Sequence, residues 1–432
     1  MKDFDLNELI SLCKRRGFIF QDSEIYGGIN GFWDYGPLGV ELKRNIREHW
    51  WREVVTKRAD VVGMDSSIIH HPRTWEASGH LESFTDPMVD CKECKRRFKA
   101  DDIENNEKCP ECGGELTEAR EFNLMFKTNV GASVDSASVA FLRPETAQAI
   151  FMNFKTVQET ARQKVPFGIA QIGKSFRNEI NPRNFIFRSR EFEQMEMEYF
   201  IHPSEREKWF DYWLEQRVDW YTKIGIKRDN LKLREHEKDE LSHYSSRTVD
   251  IEYYFPFGWQ ELEGIADRGD FDLSQHIEFS SKDMQYFDPF TQEKYIPYVI
   301  ETSAGLDRTL LTVLADAYDE EELEKESRTL LRLSPVIAPV QVAVFPLHKK
   351  LKENAVKLEE DIRSSGFRTF YDDRGAIGRL YRRQDEAGTP YCITFDFDSL
   401  EDNAVTVRDR DTMEQERINI TQIIDYLTKL FI

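Results

Sequence analysis

The chain has 432 residues, 32% of them charged, and a net charge of −20 at pH 7. That length allows two or three domains with cores of their own, and the acidic balance weighs against indiscriminate nucleic-acid binding while leaving room for a specific complex made on locally gathered basic residues. There is no membrane-length apolar run and no basic, apolar leader in MKDFDLNELISLCKRRG, and mean hydropathy is −0.60, so a cytoplasmic protein outside the membrane is expected.

Residues 4–17 carry apolar side chains at helical spacing and end in Gly17, which predicts a short helix. Residues 23–39, rich in glycine and aromatic side chains, predict strands and turns. Residues 40–56 predict a helix with an apolar stripe through Val40, Ile46, Trp50 and Val54.

The segment 83–119 reads as an insertion. It holds two CxxC knuckles, Cys91/Cys94 and Cys109/Cys112, whose four thiolates at that spacing suit a closed tetrahedral zinc site; free or disulfide-bonded cysteines are the alternative. Such a site leaves no open position for catalysis. The adjoining CKRRFK at 94–99 suggests a module presented to RNA, and a purely structural knob is the other reading.

Residues 147–154 look helical, with Pro144 suited to the first turn and Glu145 to the helix dipole. The most informative stretch is 176–200, FRNEINPRNFIFRSREFEQMEMEYF. Two alternating segments flank a loop with Asn181, Pro182 and Asn184, which predicts a hairpin whose residues spaced by two share a face. Arg177, Arg188 and Arg190 suit a phosphate ester, because a guanidinium donates a rigid fork of hydrogen bonds. Glu179, Glu191, Glu196 and Glu198 suit an amine or the donors of a base edge. A strand pair laced with cross-strand ion pairs is the plain alternative.

Residues 203–256 predict a helix and then a strongly charged stretch, where His236 and His243 read as surface or hydrogen-bonded histidines. Residues 250–276 predict strands that bring Glu261, Glu263 and Asp267 to a common region. From about 334, strands alternate with helices, one ended by Gly366, one by Gly388, and the last capped by Asn419, which predicts a mixed sheet with helices packed on it.

These stretches, taken together and in order, resemble the class II aminoacyl-tRNA synthetases and, within them, the dimeric glycyl branch. GPLG at 36–39 with the following helix resembles motif 1; FRNE at 176–179 with REF at 190–192 resembles motif 2; ETSAGLDR at 301–308 resembles motif 3. RPETAQ at 143–148, EFEQMEMEYF at 191–200 and ELEGIADR at 261–268 resemble signatures of the glycyl branch, and the match covers nearly the whole chain.

The resemblance implies an α+β protein: a class II catalytic domain over 1–333 on an antiparallel sheet, with the zinc insertion at 83–119 and a helical insertion at 203–256, followed by an α/β anticodon-binding domain over 334–432. It implies a homodimer that activates glycine with ATP and Mg²⁺ and transfers it to the terminal adenosine of tRNA(Gly). By motif position, Arg177 would hold the α-phosphate and the incoming carboxylate. Arg308 would grip the β- and γ-phosphates with Arg188 assisting, and Phe192 and Glu179 would take the adenine face and edge. Glu145, Glu196, Glu261 and Glu301 would face the glycine ammonium, and Ser303 would be the wall that excludes alanine. Glu261 and Glu301 also stand as loose Mg²⁺ candidates beside the ATP. The basic runs at 13–16, 94–99 and 379–388 are the candidate tRNA track. A synthetase-like nucleic-acid binder without chemistry is the other function class, and four phosphate and base-edge groups in register argue against it.

Overall fold

The computed structural model describes residues 4–103, 108–132, 138–242, 244–323 and 327–431, so His243 lies outside the described residues. Helix α1 (Leu6–Arg16) starts under the Asp5 carboxylate and stops at Gly17. Helix α2 (Pro37–Trp51) has its proline in the first turn and runs on into a π-helical turn over Arg52–Thr56. It packs so closely on the chain after α1 that a Cβ at Gly39 would sit 1.8 Å from the Phe18 carbonyl oxygen. Ile46, Trp50 and Val54 are buried, whereas Val40 is 41% exposed and does not belong to the stripe expected of it.

The part of the chain before residue 334 is built on a seven-stranded sheet. Its strands are β1 (Val61–Gly63), β2 (Phe167–Phe176), β3 (Glu191–Ile201), β4 (Leu231–Glu235), β5 (Arg247–Phe255), β6 (Gly258–Gly269) and β7 (Tyr298–Gly305), in the order β4-β5-β6-β7-β3-β2-β1. All neighbours are antiparallel except β1 on β2. The predicted hairpin is β2–β3, paired from Phe167↔Phe200 to Phe176↔Glu191.

Strand alternation assigns the two faces. Met195, Met197, Tyr199 and Ile201 join a core with α2, α4 (Arg206–Lys223) and α6 (Leu306–Ala317). On the opposite face Phe200 packs with α3 (Ala147–Thr160) and α5 (Phe271–Ser280), and further along the strands that face opens into the cavity described below. The stretch 203–256 is helical only as far as Lys223; the rest supplies β4 and β5, because its alternating residues pair with β6 and extend the sheet.

The insertion forms a three-stranded sheet of Thr85–Asp90, Arg97–Lys99 and Arg120–Asn123. The C-terminal unit has a mixed sheet in the order β9-β8-β10-β11-β12, made of β8 (Val342–Pro346), β9 (Thr369–Tyr371), β10 (Tyr391–Phe395), β11 (Ala404–Asp409) and β12 (Gln415–Asn419), with β8 parallel to both its neighbours. Helices α7 (Lys352–Ser364), α8 (Ile377–Ala387) and α9 (Ile423–Phe431) flank it, and Gly388 and Asn419 cap as expected. Among the described residues no helix is long and apolar enough to cross a membrane.

Candidate active site

Two cavities of about 220 Å³ each open on the sheet face opposite α4 and α6. The first is lined by Arg177, Glu179, Phe187, Arg188, Phe192 and Arg308. Arg177, just beyond β2, donates from Nε to the Pro144 carbonyl at 3.0 Å, with its guanidinium 5.3 Å from the Phe192 ring centre. The Arg188 guanidinium has no hydrogen-bond or ion-pair partner among the described residues. Arg308, in the first turn of α6, donates to the Glu261 carbonyl at 2.9 Å, lies 3.2 Å from its carboxylate, and covers the Phe187 ring at 4.3 Å. Desolvation in the cleft works against the Glu261 charge, and Arg308 and then Arg177 outweigh it, so this carboxyl titrates below its usual range.

Arg190 does not join these cations. It donates to the backbone carbonyls of Glu179 at 3.0 Å and Asn30 at 2.7 Å, so its work is to hold the hairpin loop. Glu191 is likewise away from the cavity, paired with Lys174 at 2.6 Å.

The second cavity is lined by Glu145, Glu196, Glu301 and Ser303 among others, and Arg177, Gln194, Glu261 and Ser303 line both. The two are therefore one continuous site with an arginine end and a carboxylate end. Glu196 is fixed from all sides. One oxygen accepts from the Thr146 amide at 2.9 Å and from its hydroxyl; the other accepts from Gln194 at 2.8 Å and from the Ser303 hydroxyl at 2.7 Å. Glu301 accepts two 3.1 Å hydrogen bonds from Arg268, whose other nitrogens reach Asp272 at 2.7 and 2.9 Å. Burial pushes Glu301 up to about 7 against the pull of Arg268, with Glu196 and Glu145 adding to the rise.

Glu145 lies 3.2 Å from His80 and accepts from Gln148 at 3.2 Å. Burial opposes its charge, but His80, Arg268 and Arg177 hold it well below the carboxylate range. It precedes the helix: α3 begins at Ala147, because Thr146 is tied to Glu196 and Arg143 is anchored to the Lys174 carbonyl at 2.6 Å and the Ser66 hydroxyl at 2.7 Å. The first-turn reading of Pro144 and Glu145 is corrected accordingly.

Glu198 shares a face with Glu196 but lies deeper, opposite Glu301 in the strand register, with both oxygens buried and unpartnered. Burial first, and Glu301 next, raise its carboxyl well above the usual carboxylate range. Glu261, Glu263 and Asp267 do not meet as expected. A bulge at Leu262 keeps Glu261 on the cavity face, while Glu263 and Asp267 turn to the helices and pair with Arg217 at 2.6 Å and with Arg206 at 2.7 Å. His236 is a hydrogen-bonded histidine, 2.7 Å from Asp250, at the rim of the carboxylate end.

Several supporting residues escape a reading of the sequence: His80, Thr146, Gln194, Arg268 and Asp272. Arg268 stands within a motif whose acidic members draw attention first. Another is the tie between motif 1 and motif 3. Asp307 is bonded by Lys43 of α2 at 2.8 Å, by the Tyr35 hydroxyl and by the Glu193 amide at 2.6 Å, so the turn that carries Arg308 is clamped to the helix of motif 1.

In the insertion, the sulfurs of Cys91, Cys94, Cys109 and Cys112 all lie within 4.8 Å of one another, with Cys91–Cys112 at 3.5 Å and Cys94–Cys109 at 3.7 Å. Sulfurs about 2.3 Å from a central zinc in a tetrahedron stand roughly 3.8 Å apart, so the donor set fits a structural zinc ion, and no disulfide links them. The residue after each knuckle, Lys95 at φ 61° and Gly113 at φ 74°, takes the left-handed conformation that turns the chain around the metal. The module braces the hairpin loop through Arg183 and Asp102 at 3.3 Å. Its basic run is largely neutralised, Arg97 by Asp90 at 3.1 Å and Arg96 by Glu111.

Residues 133–317 match the tRNA synthetase class II core domain (G, H, P, S and T), and residues 341–430 match the anticodon binding domain. A glycine–tRNA ligase of Caldanaerobacter subterraneus subsp. tengcongensis is 56% identical over 98% of this chain and 97% of its own length. That of Treponema denticola is 56% identical over 97% and 95%, and that of Geobacillus kaustophilus 53% over 98% and 98%. A class II core with its arginines in one cavity, an anticodon-binding unit, and likeness of this degree over the full length together mean that the chain belongs to the glycine–tRNA ligase family of class II aminoacyl-tRNA synthetases.

Proposed function

We propose that the arginine end of the cavity takes ATP and the carboxylate end takes glycine, and that the four residues shared by both ends surround the reacting atoms. The continuity of the two cavities through Arg177, Gln194, Glu261 and Ser303 carries this reading. The chain is a glycine–tRNA ligase that activates glycine with ATP and charges tRNA(Gly), working in the cytoplasm.

In the first step the glycine carboxylate attacks the α-phosphorus and pyrophosphate leaves. No protein nucleophile is needed, so catalysis is positioning and charge neutralisation. Arg177 binds the α-phosphate and the incoming carboxylate, Arg308 and Arg188 take the β- and γ-phosphates, Phe192 stacks on adenine and Glu179 accepts from its edge. The ammonium faces Glu145, Glu196 and Glu301, and Ser303 walls off a β-carbon. Mg²⁺ bound with the ATP would supply further neutralisation; Glu261, half exposed beside Arg308, would hold it better than Glu301, which is buried on Arg268. In the second step the terminal adenosine hydroxyl attacks the carbonyl carbon of the mixed anhydride, the ester forms as the acyl–phosphate bond breaks, and AMP leaves, its phosphate able to take the hydroxyl proton.

The dimer belongs to the same proposal. Ile25 and Tyr26, each 87% exposed, and Ile29, 53% exposed, precede the helix of motif 1 and supply an apolar patch suited to a two-fold interface. Sedimentation as a monomer at every concentration, with acylation intact, would remove it.

The test of function is amino-acid-dependent exchange of pyrophosphate into ATP with glycine, alanine, serine, threonine, proline and histidine. Exchange is expected with glycine alone. No exchange with any of them, in folded and zinc-loaded protein, would favour a noncatalytic nucleic-acid binder.

A further inference from the structure

All three nitrogens of the Arg268 guanidinium are engaged by carboxylates. Its Nε and Nη2 go to Asp272 and its Nη1 to both oxygens of Glu301, which holds the guanidinium plane fixed and leaves its two faces open to stacking. Tyr244 takes one: its ring centre lies 3.8 Å from the guanidinium carbon, a stacking distance, while that of Phe151 lies at 5.2 Å. Tyr244 is not part of the sheet. It comes from the segment that joins β4 to β5, and that segment is pinned beside Arg268 itself. The Ser246 amide donates to the Asp267 carbonyl at 2.9 Å, and the Ser245 hydroxyl meets Thr248 at 2.8 Å and the same carbonyl at 3.3 Å.

The tether therefore delivers an aromatic ring onto the cation that orients Glu301, and the ring lines the carboxylate end together with Glu145, Glu196 and Ser303. Burial raises the phenol to about 12, so the ring adds no charge there.

We infer that Tyr244 is a specificity-determining residue for glycine: a roof, carried by the β4–β5 segment, that closes the amino-acid end against any substrate bearing a β-carbon. This rests on the assignment of that end to the amino acid. Glu196, Glu301 and Ser303 are a floor and a side wall fixed in strands, and these leave the opposite side of the pocket to be closed by another element. A larger substrate must lift the ring from Arg268 and disturb the ion pair beneath it, whereas glycine leaves the stack in place.

The test is pyrophosphate exchange by the full-length, zinc-loaded protein with glycine and with alanine, in the wild type, Tyr244→Phe and Tyr244→Ala. Tyr244→Phe is expected to keep the wild-type ratio of glycine to alanine kcat/KM, because the flat ring does the excluding. Tyr244→Ala is expected to lower that ratio by roughly tenfold or more, the scale on which pockets weigh a methyl group. The ratio is independent of how much enzyme is folded, so a merely structural role for Tyr244 would not move it. An unchanged ratio in Tyr244→Ala overturns the inference. If that variant does not fold by circular dichroism, Tyr244→Leu is read by the same two outcomes. Wild-type protein without glycine exchange would overturn the proposed function instead, which keeps the two failures apart.

Discussion

At the arginine end of the cavity, Arg188 has no hydrogen-bond or ion-pair partner among the described residues and Arg308 rests on a carboxylate whose side chain is 51% exposed. At the carboxylate end, Glu196, Glu301 and Arg268 are each under a tenth exposed and already held by hydrogen bonds within the protein. A triphosphate brings several charges and can draw arginines away from a solvated partner at little cost. Glycine offers one ammonium, one carboxylate and no side chain. Its recognition has to come from groups whose ordering cost was met on folding.

Removing a cation from the loose end tests this contrast most strongly. Arg308→Ala or Arg177→Ala is expected to lower kcat for exchange by about 10² to 10³, the usual cost of losing one preset donor to a developing charge, with the glycine KM little changed for Arg308→Ala. A glycine KM that rises as much as the ATP KM in Arg308→Ala would mean that the ends are not separate.

A change at the rigid end should invert the pattern. Glu301→Gln keeps the shape, removes the charge and weakens the bond to Arg268; a charged hydrogen bond is worth about 1.5 to 3 kcal/mol. The expectation is a glycine KM raised by roughly ten- to a hundredfold with the ATP KM unchanged. Equal effects on the two KM values would dissolve the comparison.

The same group sets a pH dependence. Burial has raised Glu301 to about 7, with Arg268 opposing and Glu196 and Glu145 assisting, so the group is charged above that pH and takes a proton below it. The glycine KM should therefore climb as pH falls through 7, by at most about tenfold per pH unit. The ATP KM should stay flat, and the slope should vanish in Glu301→Gln. A slope that survives that substitution assigns the titration to another carboxyl.

The loose end was the more legible one in the sequence. Arg177, Arg188, Phe192 and Arg308 lie at strand ends, in a loop and in a first helical turn, where motif position alone is enough to bring them to one cavity. The four cysteines were equally plain from their spacing. The rigid end was half hidden, because alternation tells which face a residue takes and not how deep it lies. Glu196 and Glu198 share a face, yet one is gripped by four donors and the other is buried with no hydrogen-bond partner among the described residues. The bulge at Leu262 separates Glu261 from Glu263, and one extra residue leaves no mark in a run of mixed polarity. Arg268, the hub of the rigid end, bonds Asp272 four residues on across a strand-to-helix junction that neither the period of two nor the helical period describes.

The smallest expected effect concerns the wall between the ends. Ser303 lines both cavities, and its hydroxyl donates to Glu196 at 2.7 Å, so glycine or alanine there removes a hydrogen bond as well as volume. Loss of the bond costs about 1 kcal/mol and falls on glycine and alanine alike. Loss of the Cβ relieves an overpacking strain of about 1 to 3 kcal/mol that falls on alanine only. Ser303→Gly should thus raise the alanine-to-glycine ratio of kcat/KM by about fivefold or more, while Ser303→Ala, which keeps the Cβ, should weaken both substrates and leave the ratio where it was. If Ser303→Gly also leaves the ratio unchanged, Ser303 serves only to hold Glu196 and the exclusion of alanine lies elsewhere in the pocket.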